Sequence, residues 1–217
     1  AESEQGLTFG YGATYRLIST SPPRELVIAL VQADSPAAQA GLERGARIVT
    51  VDGVDLVNGT DAATLNAGLW PGQINEEHTF EVLDPGASEP RSVTMRSGQI
   101  STDAVPKTRI LDTDSGKVGY LLFTDHILTA EQQLIDAITE MRNASVTDLV
   151  LDLRYNRGGY LYLANQISYM IAGAGVSGQV FNSLQFNEKS PGVNPVTGGA
   201  VRPDTFLTTS TENAAAP

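Results

Sequence analysis

The sequence predicts a mixed fold in two parts, an α+β region followed by an α/β region. Residues 6–100 alternate short strand candidates with tight turns and two short helices. Residues 117–172 alternate nearly continuous apolar strands with amphipathic helices, the pattern of a parallel sheet covered on both faces. Between them, residues 101–116 are rich in Thr, Asp and Ser, which favours a linker.

In the first part, each element has a local cause. The apolar run Leu26–Val31 predicts a strand, and Ser35 followed by Pro36 predicts the capped start of a short helix. Asp52-Gly53 predicts a turn, because glycine tolerates the positive φ that tight hairpins need. The remaining predicted elements are a helix over Thr60–Leu69 and strands over Arg47–Val51, Thr79–Leu83 and Arg91–Arg96.

In the second part, two strands each precede a helix. Strands are predicted over Val118–Phe123 and Asp148–Leu153, and helices from Thr129 and over Tyr160–Ala172. Thr129 and Gln132 have the spacing of a capping box. This order predicts right-handed crossovers and a parallel sheet. After Gly173, turn residues dominate.

The composition excludes several function classes. Of the 217 residues, 41% are hydrophobic and 18% are charged, so the chain can bury a core. The net charge of −11 argues against nucleic-acid binding. The sequence has no cysteine, which excludes disulfides, thiolate metal sites and cysteine nucleophiles. No apolar run is long enough to cross a membrane.

The segment from Asp152 to Gly159 carries the strongest chemical signal. It leaves the carboxyl end of a buried strand, where open α/β sheets bind their ligands. The backbone N–H groups of Gly158 and Gly159 could therefore stabilise an oxyanion. Asp152 and Arg154 share one face of the strand and predict a supporting ion pair. A strand–turn–helix connection also favours Asn156 and paired glycines, so a purely structural role stays open.

Two weaker signals do not predict a ligand site. Residues 173–178 match GxGxxG, but a helix precedes them and a polar loop follows, whereas phosphate binding needs the reverse order. His78 and His126 lack a second ligand type at metal spacing, so both are interpreted as surface or loop histidines. Asp125-His126 follows a strand, which leaves a cleft position open for His126.

Two motif sets resemble the carboxyl-terminal processing, or tail-specific, serine peptidases. The strand 117–123 and the run from Leu149 to Gly159 resemble the family's "GYI" and "LDLRxNxGG" motifs, in the order the family has them. Residues 35–42 resemble the "SPAxxAGL" helix of the PDZ domain that usually precedes this core. Gly6-Leu7-Thr8-Phe9-Gly10 resembles its carboxylate-binding loop.

The resemblance implies a PDZ-type β-barrel with helices over 6–100, a linker over 101–116, and a partial crotonase-like peptidase core over 117–217. It implies recognition of protein or peptide substrates with a free C-terminus. The peptide would add as a strand near Phe9–Tyr15, with its carboxylate on the backbone of Leu7, Thr8, Phe9 and Gly10 and its side chains on Leu65 and Leu69. In the peptidase core, Gly158 and Gly159 would form the oxyanion hole, supported by Asp152, Arg154 and Asn156. The resemblance implies no metal, no cofactor and an exported, periplasmic or cell-envelope location.

The sequence departs from the family in two places. Ala46 replaces the usual aspartate of the "GDxI" turn. The small-residue turn that presents the family's serine nucleophile is absent, and neither Ser210 nor Lys189 lies in a matching motif. We therefore expect the Ser–Lys dyad beyond this chain. The alternatives are a non-catalytic PDZ module with a degenerate core, and an unrelated α/β enzyme or structural protein.

Overall fold

The computed structural model describes residues 7–211. Its contacts divide the chain into two compact units, one ending at Asp103 and the next beginning at Ala104, inside the predicted linker. Each unit has its own sheets and its own hydrophobic core. Gly6 and residues 212–217, at the outer ends of the two predicted domains, lie outside the described range.

The first unit is built on an antiparallel sheet. Its strands, in chain order, are β1 (Leu7–Gly10), β2 (Ala13–Ser19), β3 (Glu25–Val31), β4 (Arg47–Val51), β5 (Val54–Asp55), β6 (Glu77–Leu83), β7 (Arg91–Arg96) and β8 (Gly98–Ser101). The main sheet runs in the order β2-β3-β4-β6-β7, with β5 beside β4. Strand β1 pairs separately with β8. Strand β2 is therefore an edge of the main sheet.

Two short helices complete this unit. Helix α1 (Pro36–Gln39) begins as predicted, because the Ser35 hydroxyl accepts the Ala38 N–H at 3.2 Å. Helix α2 (Ala62–Leu69) begins two residues later than predicted, because the Asp61 carboxylate caps it by accepting the Thr64 N–H at 3.1 Å. The core contains alternate residues of the strands together with one face of α2, including Ile28, Ile48, Val51, Phe80, Val82, Leu65 and Leu69.

The second unit contains strands β9 (Lys107–Thr113), β10 (Gly116–Leu122) and β11 (Asp148–Asp152), and helices α3 (Ala130–Asn143) and α4 (Leu161–Ala172). A 3₁₀ turn (Ala174–Val176) and the short strands β12 (Val180–Asn182) and β13 (Asp204–Thr205) follow. Strands β10 and β11 are parallel, as predicted. Leu121, Phe123, Leu134 and Leu163 are fully buried in the core of this unit.

Two features of the second unit differ from the sequence prediction. Strand β9 lies inside the predicted linker and pairs antiparallel with β10, so the sheet is mixed. Its exposed, polar residues give it the composition of a loop. The capping box at Thr129 is wrong: Thr129 makes no side-chain cap, and Gln132 Nε2 donates instead to Asp136 Oδ1 at 2.7 Å.

These elements confirm the predicted fold class, a β-rich domain with two short helices followed by a mixed α/β region. Across residues 7–211, we find no helix with the length and apolar content needed to span a membrane.

Candidate functional site: a peptide groove and a glycine loop

The first unit has a groove between the edge strand β2 and helix α2. On one side β2 pairs with β3, and on the other it has no strand partner among residues 7–211. The groove has a volume of about 290 Å³. Most of its lining is apolar, namely Tyr15, Leu17, Leu26, Leu56, Ala62, Leu65, Leu69 and Trp70, and its polar lining includes Thr20, Arg24 and Asn66. An open strand edge beside an apolar helix face is the geometry that accepts an added peptide strand.

The structure brings only some of the predicted peptide-binding residues to this groove. Leu65 and Leu69 line it from α2. The predicted loop Leu7–Gly10 is wrong in its secondary structure: it forms strand β1, in which Thr8 pairs with Ile100 and Phe9 with Gln99. The turn that directly precedes β2 is Tyr11-Gly12.

The sequence carries a signal for this shift. Gly10-Tyr11-Gly12 also places an aromatic residue between glycines, and it stands immediately before the alternating strand β2. Gly6–Gly10 shows a similar pattern of glycine and apolar residues, so the sequence alone does not distinguish the two segments.

Two tyrosines, Tyr11 and Tyr15, lie at the β2 side of this unit. The hydroxyls of Tyr11 and Tyr15 are buried and have no hydrogen-bond partner in the described part of the chain. Burial raises the pKa of both phenols well above its ordinary value, and the neighbouring Tyr11 adds to the effect at Tyr15. The ring of Tyr15 meets the ring of Trp70 edge-on at 6.3 Å, which places the end of α2 near the start of β2.

The second unit carries the glycine loop that follows β11. Asn156 organises it: its Nδ2 donates to the carbonyl of Phe123 at 3.0 Å, and its Oδ1 accepts the N–H of Gly158 at 2.8 Å. The N–H of Gly158 is therefore already occupied. The N–H of Gly159 makes no hydrogen bond to any residue in the range 7–211. Of the two predicted donors, the geometry leaves Gly159 available.

Both glycines have positive φ, +80° at Gly158 and +134° at Gly159. Backbone hydrogen bonds attach the loop to the segment after β10. The His126 N–H donates to the Gly158 carbonyl and the Tyr160 N–H to the His126 carbonyl, each at 2.9 Å, and the Arg157 N–H donates to the Thr124 carbonyl at 3.0 Å. A Cβ on Gly158 would meet nothing within 4 Å, whereas a Cβ on Gly159 would collide with the backbone of His126. Gly159 therefore has a packing reason to be glycine in addition to any catalytic one.

An ion pair anchors the strand from which this loop leaves. The buried Asp152 carboxylate accepts Arg154 Nη2 at 2.6 Å and the Tyr120 hydroxyl at 2.7 Å. These bonds hold the pKa of Asp152 well below its usual range, and the hydrogen bond from Arg154 has the largest effect. The carboxylate stays ionised, so the support does not change around neutral pH.

Two further residues, Asp125 and His126, lie beside the loop, and the sequence left a cleft position open only for His126. Asp125 is buried and accepts Arg157 Nε at 3.0 Å. His126 is packed against Phe123, with ring centroids 4.4 Å apart, and its Nδ1 is buried without a partner among the described residues. Burial lowers the pKa of His126, an effect opposed by Asn156 and Asp125. The available signal was the position of Asp125-His126 directly after a strand.

The described residues contain no cluster of three or more His, Asp or Glu side chains able to hold a metal ion. The glycine loop itself offers a backbone donor in a segment held by hydrogen bonds, next to the start of helix α4.

Comparison with known proteins matches both units. The model of peptidase family S41 matches residues 117–199, and a PDZ domain model matches residues 27–68. A carboxyl-terminal-processing protease of Synechocystis is 30% identical over 140 residues, which are 63% of this chain and 32% of that protein. The chloroplastic carboxyl-terminal-processing peptidase 2 of Arabidopsis thaliana is 29% identical over 162 residues, 71% of this chain and 30% of that protein.

The chain thus spans about a third of the length of these relatives. Among solved structures, a Bacteroides fragilis protein assigned to the S41 proteases has a TM-score of 0.67 at 22% identity, covering 96% of this chain and 55% of that one. The photosystem II D1 C-terminal processing protease has a TM-score of 0.52 at 23% identity, and the match covers 76% of this chain and 44% of that one. A PDZ domain match followed by a match to a region of the S41 peptidase domain supports the resemblance of this chain to the carboxyl-terminal processing peptidase family.

Proposed function

We propose that this chain binds the free C-terminus of protein substrates and contributes the oxyanion site of a serine endopeptidase. The observation that carries the first part is the groove between β2 and α2. A peptide strand can pair with the open edge of β2, while its alternate side chains enter the apolar groove.

The substrate carboxylate would lie at the turn Tyr11-Gly12, which directly precedes β2. Backbone N–H groups in such a turn form a concave anion site. The predicted residues Leu7, Thr8, Phe9 and Gly10 form the strand that leads into this turn, and their contact with a peptide stays a prediction. The terminal side chain would be apolar, because Leu69 and Trp70 line the groove and the contact of Trp70 with Tyr15 places this end of α2 near the start of β2.

For the peptidase step, we propose that the Gly159 N–H stabilises the oxyanion. A lysine base takes the proton of a serine hydroxyl, the serine oxygen attacks the peptide carbonyl carbon, and the negative oxygen accepts the Gly159 N–H. The amine leaves with a proton, and water then releases the acyl group from the serine. The role proposed for Asp152, Arg154 and Asn156 is to hold this loop. The serine and lysine are expected outside this chain, and no cofactor enters the step.

The family also motivates a proposed location. We propose an exported protein in the periplasm or cell envelope, acting on protein or peptide chains and not on nucleic acid. The alternative function is a non-catalytic PDZ module with a degenerate core. It is favoured by the contact of Gly159 with His126, which explains that glycine without catalysis.

Peptide binding to the full 217-residue chain tests the recognition step. The probe is a fluorescent decapeptide ending in Leu-Ala-Leu, made with a free carboxylate and, as the matched control, with a C-terminal amide. We expect the amide to bind at least tenfold more weakly, about the effect of losing one charge-assisted contact. Equal binding of the two peptides would contradict recognition of a free C-terminus.

A further inference from the structure

We propose that Arg24 makes the groove selective for substrates that carry Asp or Glu a few residues before the C-terminus. This inference rests on the proposed function of the groove and adds a charge preference to it. It names a specificity residue outside the family motifs of this sequence.

Arg24 is half-buried and lines the groove. Its Nη1 donates to two backbone carbonyls, of Gly59 at 2.8 Å and of Leu56 at 3.2 Å. Its own N–H donates to the carbonyl of Val57 at 2.8 Å. These bonds fix the guanidinium against the loop that precedes α2. Because a guanidinium has five donors in a rigid fork, Nε and Nη2 remain for a ligand.

The carboxylates close to Arg24 in the chain or in the loop are engaged elsewhere. Glu25 pairs with Arg47 at 3.8 Å. Asp55 accepts the N–H groups of Val57 and Asn58, and Asp61 accepts the N–H and hydroxyl of Thr64. Within residues 7–211, Arg24 forms no ion pair. A positive charge without a carboxylate partner in the described range therefore belongs to a residue that lines the groove, in a chain that is acidic as a whole.

The direction of the bound peptide gives the position of the acidic residue. With its carboxylate at Tyr11-Gly12, the peptide would lie antiparallel to β2. Its C-terminal residue would then be near Ala13, and its earlier residues would be near Ser19. Thr20 follows the last residue of β2, and Ser19 pairs with Glu25, the residue after Arg24, so Thr20 and Arg24 both lie at the end away from the carboxylate. At roughly 3.3 Å per residue, this end lies about three to six residues before the C-terminus.

The test measures binding of matched peptides to the full chain. The decapeptide ending in Leu-Ala-Leu carries Glu, Gln or Lys at one position, moved in turn over the four positions covered by that estimate. We expect one position at which Glu binds about three- to tenfold tighter than Gln, and Lys weaker than Gln. The preference should shrink in about 1 M salt, where the Debye length is about 3 Å.

The variants are Arg24→Gln, Arg24→Lys and, as the matched control, Arg16→Gln. Arg16 is an exposed arginine of β2; its neighbours Tyr15 and Leu17 line the groove and Arg16 does not. In the Arg24→Gln variant, the affinities for the Glu and Gln peptides should differ by no more than about twofold. The Arg24→Lys variant should retain part of the preference for Glu, and the Arg16→Gln variant should retain all of it. Thermal unfolding of each variant shows that the domain is intact.

Two results would overturn the inference. In the first, the parent chain binds Glu and Gln peptides equally at every position while still preferring the free carboxylate over the amide. That outcome removes the Arg24 role and leaves the proposed function standing. In the second, Arg24→Gln and Arg16→Gln reduce the preference for Glu peptides equally. That result would assign the preference to the electrostatic field of the whole chain and not to Arg24. Failure of the carboxylate preference itself would instead remove the proposed function.

Discussion

The carbonyl oxygen of His126 occupies the space that a side chain at Gly159 would need, because a Cβ built on Gly159 falls 2.3 Å from that oxygen. The same two residues form an isolated parallel bridge, with hydrogen bonds to the residues on either side of Gly159. The close approach therefore fixes the loop whose N–H is proposed to bind the oxyanion. It also means that a substitution at Gly159 changes packing before it changes chemistry.

Gly159→Ala should destabilise the second unit, because the collision is with backbone and cannot be relieved by a rotamer change. We expect a loss of about 2 kcal/mol or more in the free energy of unfolding. Gly158→Ala is the matched control: its Cβ would meet nothing within 4 Å, so it should cost only about 1 kcal/mol for the positive φ. Denaturant unfolding of both variants measures this order. Equal losses would show that the contact with His126 is easily relaxed.

The ion pair of Asp152 and Arg154 should make stability depend on pH in one direction. The pKa of Asp152 is lowered in the folded state, so its contribution is present above the unfolded pKa of about 3.9 and is lost as pH falls. Arg154→Ala removes the largest cause of this shift. The variant should therefore be less stable near pH 7, and its difference from the parent should narrow below about pH 4.

Denaturant unfolding from neutral to acid pH follows this difference. Arg142→Ala is the control, since Arg142 is exposed in the last turn of α3 in the same unit. Its difference from the parent should stay constant with pH. If the difference in unfolding free energy between Arg154→Ala and the parent instead grows as pH falls, the ion pair does not stabilise the fold as proposed.

The sequence predicted those elements whose local signal and tertiary role agree. Ser35 and Pro36 begin α1 in the prediction and in the structure, and Gly53 adopts the predicted positive φ, at 77°. It missed β9, because an exposed edge strand is specified by pairing with β10 and not by its own residues. The occupied N–H of Gly158 was also hidden, since it depends on which way the Asn156 side chain turns.

Substitutions on one face of β2 should weaken peptide binding, whereas substitutions on the other face should not. Leu17 lines the groove and is 42% exposed, whereas its neighbour Ile18 is 62% exposed and does not line it. Leu17→Ser should weaken binding of the Leu-Ala-Leu peptide by roughly three- to tenfold, because a bound peptide covers about half of a leucine side chain.

Ile18→Ser is the control for this change and should bind as the parent does. Both substitutions remove similar apolar area from the same edge strand, so both should have similar effects on stability. Fluorescence anisotropy with the labelled peptide measures the two affinities. Weaker binding by Ile18→Ser alone would place the peptide on the opposite face of β2.

The purified 217-residue chain should bind peptide but hydrolyse none. A backbone donor at Gly159 can stabilise an oxyanion, but it cannot attack the carbonyl carbon, and hydrolysis by the family's mechanism also needs an activated serine and its lysine base. The measurement follows cleavage of an internally quenched peptide ending in Leu-Ala-Leu over hours. Ser210→Ala and Lys189→Ala serve as controls, because they are the candidates that sequence reasoning considered for a dyad. If the parent chain hydrolyses the peptide and either substitution abolishes this activity, the nucleophile or base lies within this chain and the prediction is wrong. If both variants hydrolyse the peptide as fast as the parent, the activity comes from a contaminating peptidase, and the measurement is repeated on repurified protein.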